Sequence, residues 1–265
     1  MPQSGEDWRR IAQQFHSKWN FPNTLGAING KHVALMAPNN SGSLYYNYKN
    51  FFSIVFMGLV DADYKFIYVD VDCNGRISDG GVFAGCTLLE ALNRRLLSIP
   101  ESDLLPGTDD NSSFHILGDE AFPLRTDLLK PFPFRNLKYA QRVFNYRLSR
   151  ARRVENAFGI LAMKFRVLLT RINLSPEKAS QLVMAACTLH NYLRNDPYYV
   201  APGLLDYEDN IHRPVKGAWR QQENPLKSVG LPFFYTLGVC IILSCKIKRV
   251  VKNNKIILEV YLLFV

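Results

Sequence analysis

Acidic residues are nearly missing from one long stretch of this chain. Between Arg125 and Arg171 twelve lysines and arginines face only two acids, Asp127 and Glu155. That window accounts for the whole net charge of +9 carried by the 265 residues. So local an excess argues against a neutral surface there and favours an anionic partner, nucleic acid before anionic membrane. Cysteine is scarce as well. The five, Cys73, Cys86, Cys187, Cys240 and Cys245, are odd in number and form no CxxC pair. Neither a disulfide framework nor a zinc site is indicated, and a reducing compartment fits. The opening MPQSGEDWRR lacks the apolar core of a signal peptide, and no internal repeat is visible. What remains is ordinary for a globular protein: 48% apolar and 21% charged residues, with length enough for one main domain plus extras.

Taken in order, residues 6–20 read as an amphipathic helix with Trp8, Ile11, Ala12, Phe15 and Trp19 on one stripe. Pro22 and the Asn29-Gly30 pair punctuate a strand–turn–strand pattern between Phe21 and Met36. The apolar runs Ser53–Val60 and Phe66–Val71 read as an antiparallel hairpin buried on both faces. A helix is expected from Val82 to Leu97, then a turn-rich acidic linker over 98–113. A short strand, Phe114–Leu117, follows and closes on Gly118-Asp119-Glu120. A long basic helix starts near Lys138 or Gln141 and runs to Leu169, with Gly159 as its breaking point. Within it Leu148, Arg152, Glu155 and Gly159 share one face by spacing. Ser175-Pro-Glu opens the last helix, whose apolar face holds Leu182, Val183, Ala186, Leu189, Tyr192 and Leu193. Residues 206–228 are polar and linker-like. The uncharged run 228–245, followed by Lys246, Lys248 and Arg249, reaches the lower limit for a membrane span. Pro232 and Gly238 interrupt it, so a buried strand pair or a tail foreign to the domain is the better reading.

One amide and two carboxylates stand out at expected element ends: Asn29, Asp119 and Glu155. Two carboxylates and a third oxygen ligand are what a hard divalent ion needs. Paired ions of that kind activate water and stabilise the leaving oxygen in phosphodiester cleavage. Arg147, Arg150, Arg152, Arg153, Lys164 and Arg166 would hold the nucleic-acid backbone beside them. Spacing alone leaves a plainer alternative open, in which Asp119 is a turn residue and Glu155 neutralises Arg152. His32, beside Lys31, is a candidate phosphate neighbour; His190 reads as a packed, hydrogen-bonded histidine.

Seven blocks occur in a recognisable order: GAINGKH (26–32), YYNYKNFFS (45–53), GLVDAD (58–63), GRISDGGVF (75–83), ILGDEAFPL (116–124), NYRLSRARRVENAFGIL (145–161) and LHNYL (189–193). Together they resemble the DDE endonuclease domain of PIF/Harbinger-type transposases and the Harbinger transposase-derived nucleases. The resemblance covers roughly residues 8–195. It implies an α/β fold of the ribonuclease H-like type, a mixed sheet flanked by helices. It also implies a hydrolase with an Asp, Asp, Glu triad, a divalent cation (Mg²⁺ or Mn²⁺), DNA as partner, and a nuclear location with the cytoplasm as a second place. A separate DNA-binding partner protein belongs to the same expectation. Asp119 takes the second acid's place and Glu155 the third's; Asp79, in GRISDGGVF, reads as a support of the sheet or of the residues that hold the metal. The first position departs, because the family pattern resembles GAIDGKH and Asn29 stands here. Asn keeps the shape and loses the charge, so a weakened or silent centre is expected. Two compensations are conceivable: Asp61 or Asp63 supplies the charge, or Asn29-Gly30 deamidates. The expected layout is an N-terminal helix (1–20), the DDE domain (21–195), a polar linker (196–227) and an apolar tail (228–265), in the manner of a truncated copy. Two functions follow: a metal-dependent DNA endonuclease, weakened at Asn29, or a catalytically dead protein that binds DNA or a partner.

Overall fold

The computed structural model describes residues 1–196, 198–200, 203–209, 213–222, 244–252 and 255–263. It separates into two compact units, Met1–Pro225 and Leu226–Val265.

In the first unit, Ser4 and Asp7 form a capping box that starts helix α1 (Gly5–Trp19), and Asn20 ends it in the left-handed region at φ 51°. Its apolar stripe buries Trp8, Ala12 and Phe15. Strands β1 (Thr24–Ala34), β2 (Ser53–Val60) and β3 (Phe66–Asn74) form an antiparallel meander. All eight residues of β2 are buried, as an uninterrupted apolar run in a sheet covered on both faces requires. Helices α2 (Asp79–Gly85) and α3 (Thr87–Asn93) follow, then a small hairpin of β4 (Ser102–Leu104) and β5 (Asn111–Ser113). Strand β6 (His115–Leu117) pairs parallel to the free edge of β1, and β7 (Leu128–Leu129) pairs parallel to β6. The sheet order is β3-β2-β1-β6-β7. Helices α4 (Tyr139–Ala151), α5 (Val154–Lys164) and α6 (Pro176–Leu193) complete the layers. One core joins Phe56 and Phe66 of the sheet to Phe158 of α5 and Val183 of α6. A second joins Ile28, Val55 and Met57 to Trp8 of α1 and Phe83 of α2, and a smaller third joins Phe15 of α1 to Leu117 of β6 and Leu148 of α4. This is the mixed, helix-flanked sheet expected of a ribonuclease H-like α/β domain.

Several local expectations need correction. Asn29-Gly30 is not a turn: β1 runs straight through it, with Asn29 opposite Gly58 and Gly30 opposite Met57. The basic helix breaks at Arg152-Arg153, not at Gly159. Arg152 still donates its N–H to Leu148 at 2.8 Å, but Arg153 donates to Ala151 at 2.9 Å, and α5 starts afresh. Leu148 and Glu155 therefore do not share a helical face. Gly159 is glycine because the Trp219 ring lies where a Cβ would be. The expected helix over 82–97 is two helices parted by Cys86, whose extended backbone (ψ 153°) caps both. On α6, Val183 and Ala186 are buried, while Tyr192 and Leu193 at its end are exposed.

Residues 196–227, expected as linker, include a segment that folds back onto the domain. Its strands β8 (Tyr207–Glu208) and β9 (Pro214–Val215) pair, and a 3₁₀ turn spans Ala218–Gln222. Leu204 and Trp219 enter the same core as Phe158. Polar composition conceals this, because one tryptophan provides the anchor. In the second unit, β10 (Ser244–Lys252) and β11 (Lys255–Leu263) pair antiparallel. Most of the candidate span 228–245 lies outside the described residues, among which no helix is long and apolar enough to cross a membrane.

Candidate active site

The site is built where β6 ends beside the middle of β1. Ala27 of β1 pairs with Leu117 of β6. Two residues further on, Asn29 and Asp119 therefore lie in adjacent register at the carboxyl end of β6. Asn29 is 8% exposed, and its Oδ1 accepts the N–H of Gly30 at 2.9 Å. Asp119 sits just past β6 with its Oδ1 accepting the Ala121 N–H at 2.9 Å.

Glu155 arrives from the other layer, in the first turn of α5. The helix break brings Arg152 between the two acids. Its Nη1 stands 3.9 Å from Asp119 Oδ2 and 4.0 Å from Glu155 Oε1. The other Glu155 oxygen faces Arg220 Nη2 at 3.4 Å. Arg220 comes from the folded-back segment, where Asp206 anchors it through Nε at 2.9 Å and Nη2 at 2.5 Å. Its guanidinium stacks over Trp219 with its carbon 4.3 Å from the ring centre. Arg152 thus stands beside both Asp119 and Glu155, strand register sets Asn29 next to Asp119, and Arg220 adds a second guanidinium group.

Asp79 lies beside the site, as the second of its two expected supporting roles requires. Its carboxylate lies against Gly30, in the space a Cβ would take. Burial raises its pKa, and the negative charge of Asp119 raises it further against the pull of Lys49. The signal in the sequence was the SDGG block: Ser78 caps α2 by accepting the Gly81 N–H and so fixes where Asp79 starts.

Asp61 and Asp63 do not replace the missing charge. Val60 pairs with Ala27, so both lie beyond it toward the start of β1, roughly 10 Å back from Asn29 along the strand. The Asp61 carboxylate accepts the amides of Asp63 and Lys65 at 2.8 and 2.9 Å, and Asp63 pairs with Lys18. His32 bonds Ser53 Oγ at 2.9 Å. Burial, helped by Lys49, lowers its pKa to about 4, so it is neutral near pH 7 and brings no cation to a phosphate. His190 is fully buried between Tyr64 O at 2.8 Å and Tyr199 Oη at 3.1 Å, a packed residue as expected.

The basic residues divide. Arg150, Arg152 and Arg153 converge at the α4–α5 break. Arg147, Lys164 and Arg166 are exposed, and Lys164 ends α5, roughly 14 Å along the helix from Glu155.

Residues 28–191 match the DDE superfamily endonuclease family. The chain belongs to that family. It is 28% identical over 189 residues to the protein named "Putative nuclease HARBI1" of Rattus norvegicus, covering 68% of this chain and 49% of the relative. The Homo sapiens protein of that name is 26% identical over 187 residues, with 68% and 49% covered. "Protein ALP1-like" of Arabidopsis thaliana is 26% identical over 191 residues, with 69% and 46% covered. The chain spans about half the length of these relatives. No solved structure matches it.

DDE superfamily endonucleases generally use divalent metal ions, and the donors present here can be tested against that need. Among the described residues no three His, Cys, Asp or Glu side chains come together closely enough to hold an ion. The Asn29 oxygen already accepts Gly30 N–H, and guanidinium groups face the carboxylates of Asp119 and Glu155. As arranged, this candidate centre does not fit a pair of divalent ions: an amide stands at the first position and guanidinium groups stand beside both acids.

Proposed function

We propose that this chain is a DNA-binding domain of the DDE endonuclease family whose phosphodiester-hydrolysing centre is weakened or silent. The observation that carries the reading is the charge of the centre. An amide at Asn29 replaces one carboxylate, and Arg152 stands between the two that remain. Three like charges held close together strongly attract divalent cations; two carboxylates opposed by guanidinium groups do so far less. The positive charge around α4 and α5 supports contact with a phosphate backbone. On this reading the protein works on DNA in the nucleus, and a separate DNA-binding protein supplies sequence choice.

The test is cleavage of plasmid DNA by the full chain with Mg²⁺ or Mn²⁺. The wild type is expected to bind DNA and leave it uncut. Asn29→Asp is expected to gain cleavage, on the order of 10–100-fold above background or more, and Asn29→Asp with Glu155→Gln to lose it. A wild type that cuts as fast as Asn29→Asp would end the weakened-centre reading. A second reading rests on Asp79, which lies beside Gly30 and feels the charge of Asp119. If Asp79 stands in for the first acid, the wild type cuts and Asp79→Asn abolishes cutting.

A further inference from the structure

Beside Glu155 lies a cavity of about 430 Å³, bounded by the α4–α5 break and by Asp206, Val215, Lys216 and Arg220 of the folded-back segment. That volume falls within the ~300–1,000 Å³ usual for small-ligand sites. Arg150, Arg152, Arg153, Lys216 and Arg220 line it, against the acids Glu155 and Asp206. Asp206 is fully engaged, accepting Arg220 Nε at 2.9 Å and the Gly217 N–H at 2.8 Å. An excess of positive charge therefore faces the hollow.

Arg152 is the informative residue. Its Nε and Nη1 are sealed from solvent, and neither has a hydrogen-bond partner. The two carboxylates near it, at 3.9 and 4.0 Å, are too distant for a hydrogen bond. Buried donors are nearly always satisfied; these two are enclosed, so a ligand in the hollow meets the part of the Arg152 side chain that stays exposed, 19% of it, and reaches the enclosed nitrogens only as the side chain turns. A guanidinium presents its N–H groups as a planar fork that matches phosphate oxygens. At the mouth, the half-exposed Tyr146 ring lies 5.8 Å from the Arg150 guanidinium carbon, which gives a flat apolar surface next to the cations.

We propose that this cavity binds a phosphate group, with Arg152, Lys216 and Arg220 as its cationic contacts. The proposal deepens the DNA-binding reading and rests on it for the source of the phosphate, either a strand-terminal monoester or a backbone diester. Occupancy also competes with Glu155 for Arg220, so filling the cavity and releasing Glu155 are linked.

The experiment is calorimetric titration of the full chain with inorganic phosphate against chloride at constant ionic strength. It is followed by short single-stranded DNA carrying either a 5′-phosphate or a 5′-hydroxyl. Wild type is expected to bind phosphate saturably. Lys216→Gln, an exposed position, and Arg152→Gln are each expected to weaken it about tenfold, with partial recovery in Arg152→Lys. Thermal melting checks that each variant is folded, and Lys216→Gln carries the test alone if Arg152→Gln is not. Tighter binding of the 5′-phosphorylated strand identifies the monoester; equal binding of both strands, each weakened by Lys216→Gln, identifies the diester. Absence of saturable phosphate binding by wild type overturns the proposal. So does an affinity that folded variants leave unchanged, and if DNA still binds then, the cavity is lost while the DNA-binding reading stands. Phosphate binding that behaves as expected in a protein that ignores DNA supports the cavity and removes the DNA-binding reading.

Discussion

Gly30 carries no side chain because the Asp79 carboxylate occupies the space beside its Cα. Its backbone is ordinary strand, so the requirement is for room and not for an unusual dihedral. Gly30→Ala should therefore cost on the order of 1–3 kcal/mol in urea unfolding, the usual range for overpacking. Removing the obstacle with Asp79→Ala in the same chain should recover much of that loss, a coupling that a double-mutant cycle measures. A Gly30→Ala protein as stable as wild type would remove the contact from the account. The neighbouring Asn29 is held mid-strand opposite Gly58. Deamidation needs the Gly30 nitrogen to attack the Asn29 side-chain carbonyl carbon, which the extended ladder resists. Peptide mapping after prolonged storage should find Asn29 unchanged, and conversion to Asp would contradict that. Asn29, Asp119 and Glu155 were legible because each lies in a distinctive block of sequence. For Asp79 the sequence left two roles open, support of the sheet or of the site, because its partner is a glycine far away in the chain, and a glycine signals a turn as readily as a close approach.

The folded-back segment and the α4–α5 break together decide the charge at the centre. Trp219 is 3% exposed, donates its Nε1–H to Asn156 Oδ1 at 2.9 Å, and covers Gly159. Trp219→Ala should cost about 3–5 kcal/mol and open residues 203–222 to limited proteolysis. Resistance equal to wild type would show that the anchor lies elsewhere. The latch should also respond to acid. Burial raises the Asp206 pKa, but Arg220 and the Gly217 amide outweigh it, so the net shift is downward. A depressed folded pKa contributes stability above the ordinary carboxylate value, and that stability is lost as pH falls through the folded value. Trp219 fluorescence should therefore change below about pH 4, and Asp206→Asn should remove that transition. Helical periodicity runs unbroken through residues 147–161, so the break was invisible in sequence. It is imposed by tertiary structure: Asn145 ties α4 to Phe132 through bonds of 2.8 and 2.9 Å, while the first turns of α5 are buried against the sheet.

For the whole molecule, three histidines set the response to mild acid. His32, His115 and His190 each have a pKa lowered from 6.5 to about 4, first of all by burial. Between those values each of these rings binds a proton more readily in the unfolded chain, so their contribution to stability is complete above about pH 6.5 and falls as pH drops toward 4, against an opposite contribution from Asp61 and Asp79, whose raised pKa favours the folded state in acid. Urea unfolding at about pH 7 and about pH 5 tests this; equal stabilities would mean that these rings are protonated without cost in the folded protein. The sheet and its two-sided burial were readable from the apolar runs and the family blocks. The return of the segment that holds Leu204 and Trp219 was not, since a core contact made by those two residues leaves no periodic trace in a polar stretch. That return also has a consequence in time. Arg220 follows Glu155 by 65 positions, about 3–13 s of synthesis at ~5–20 residues per second. A growing chain therefore completes its sheet and both carboxylates before it makes the arginine that faces Glu155. For those seconds the nascent chain carries Glu155 without the arginine that faces it in the finished protein.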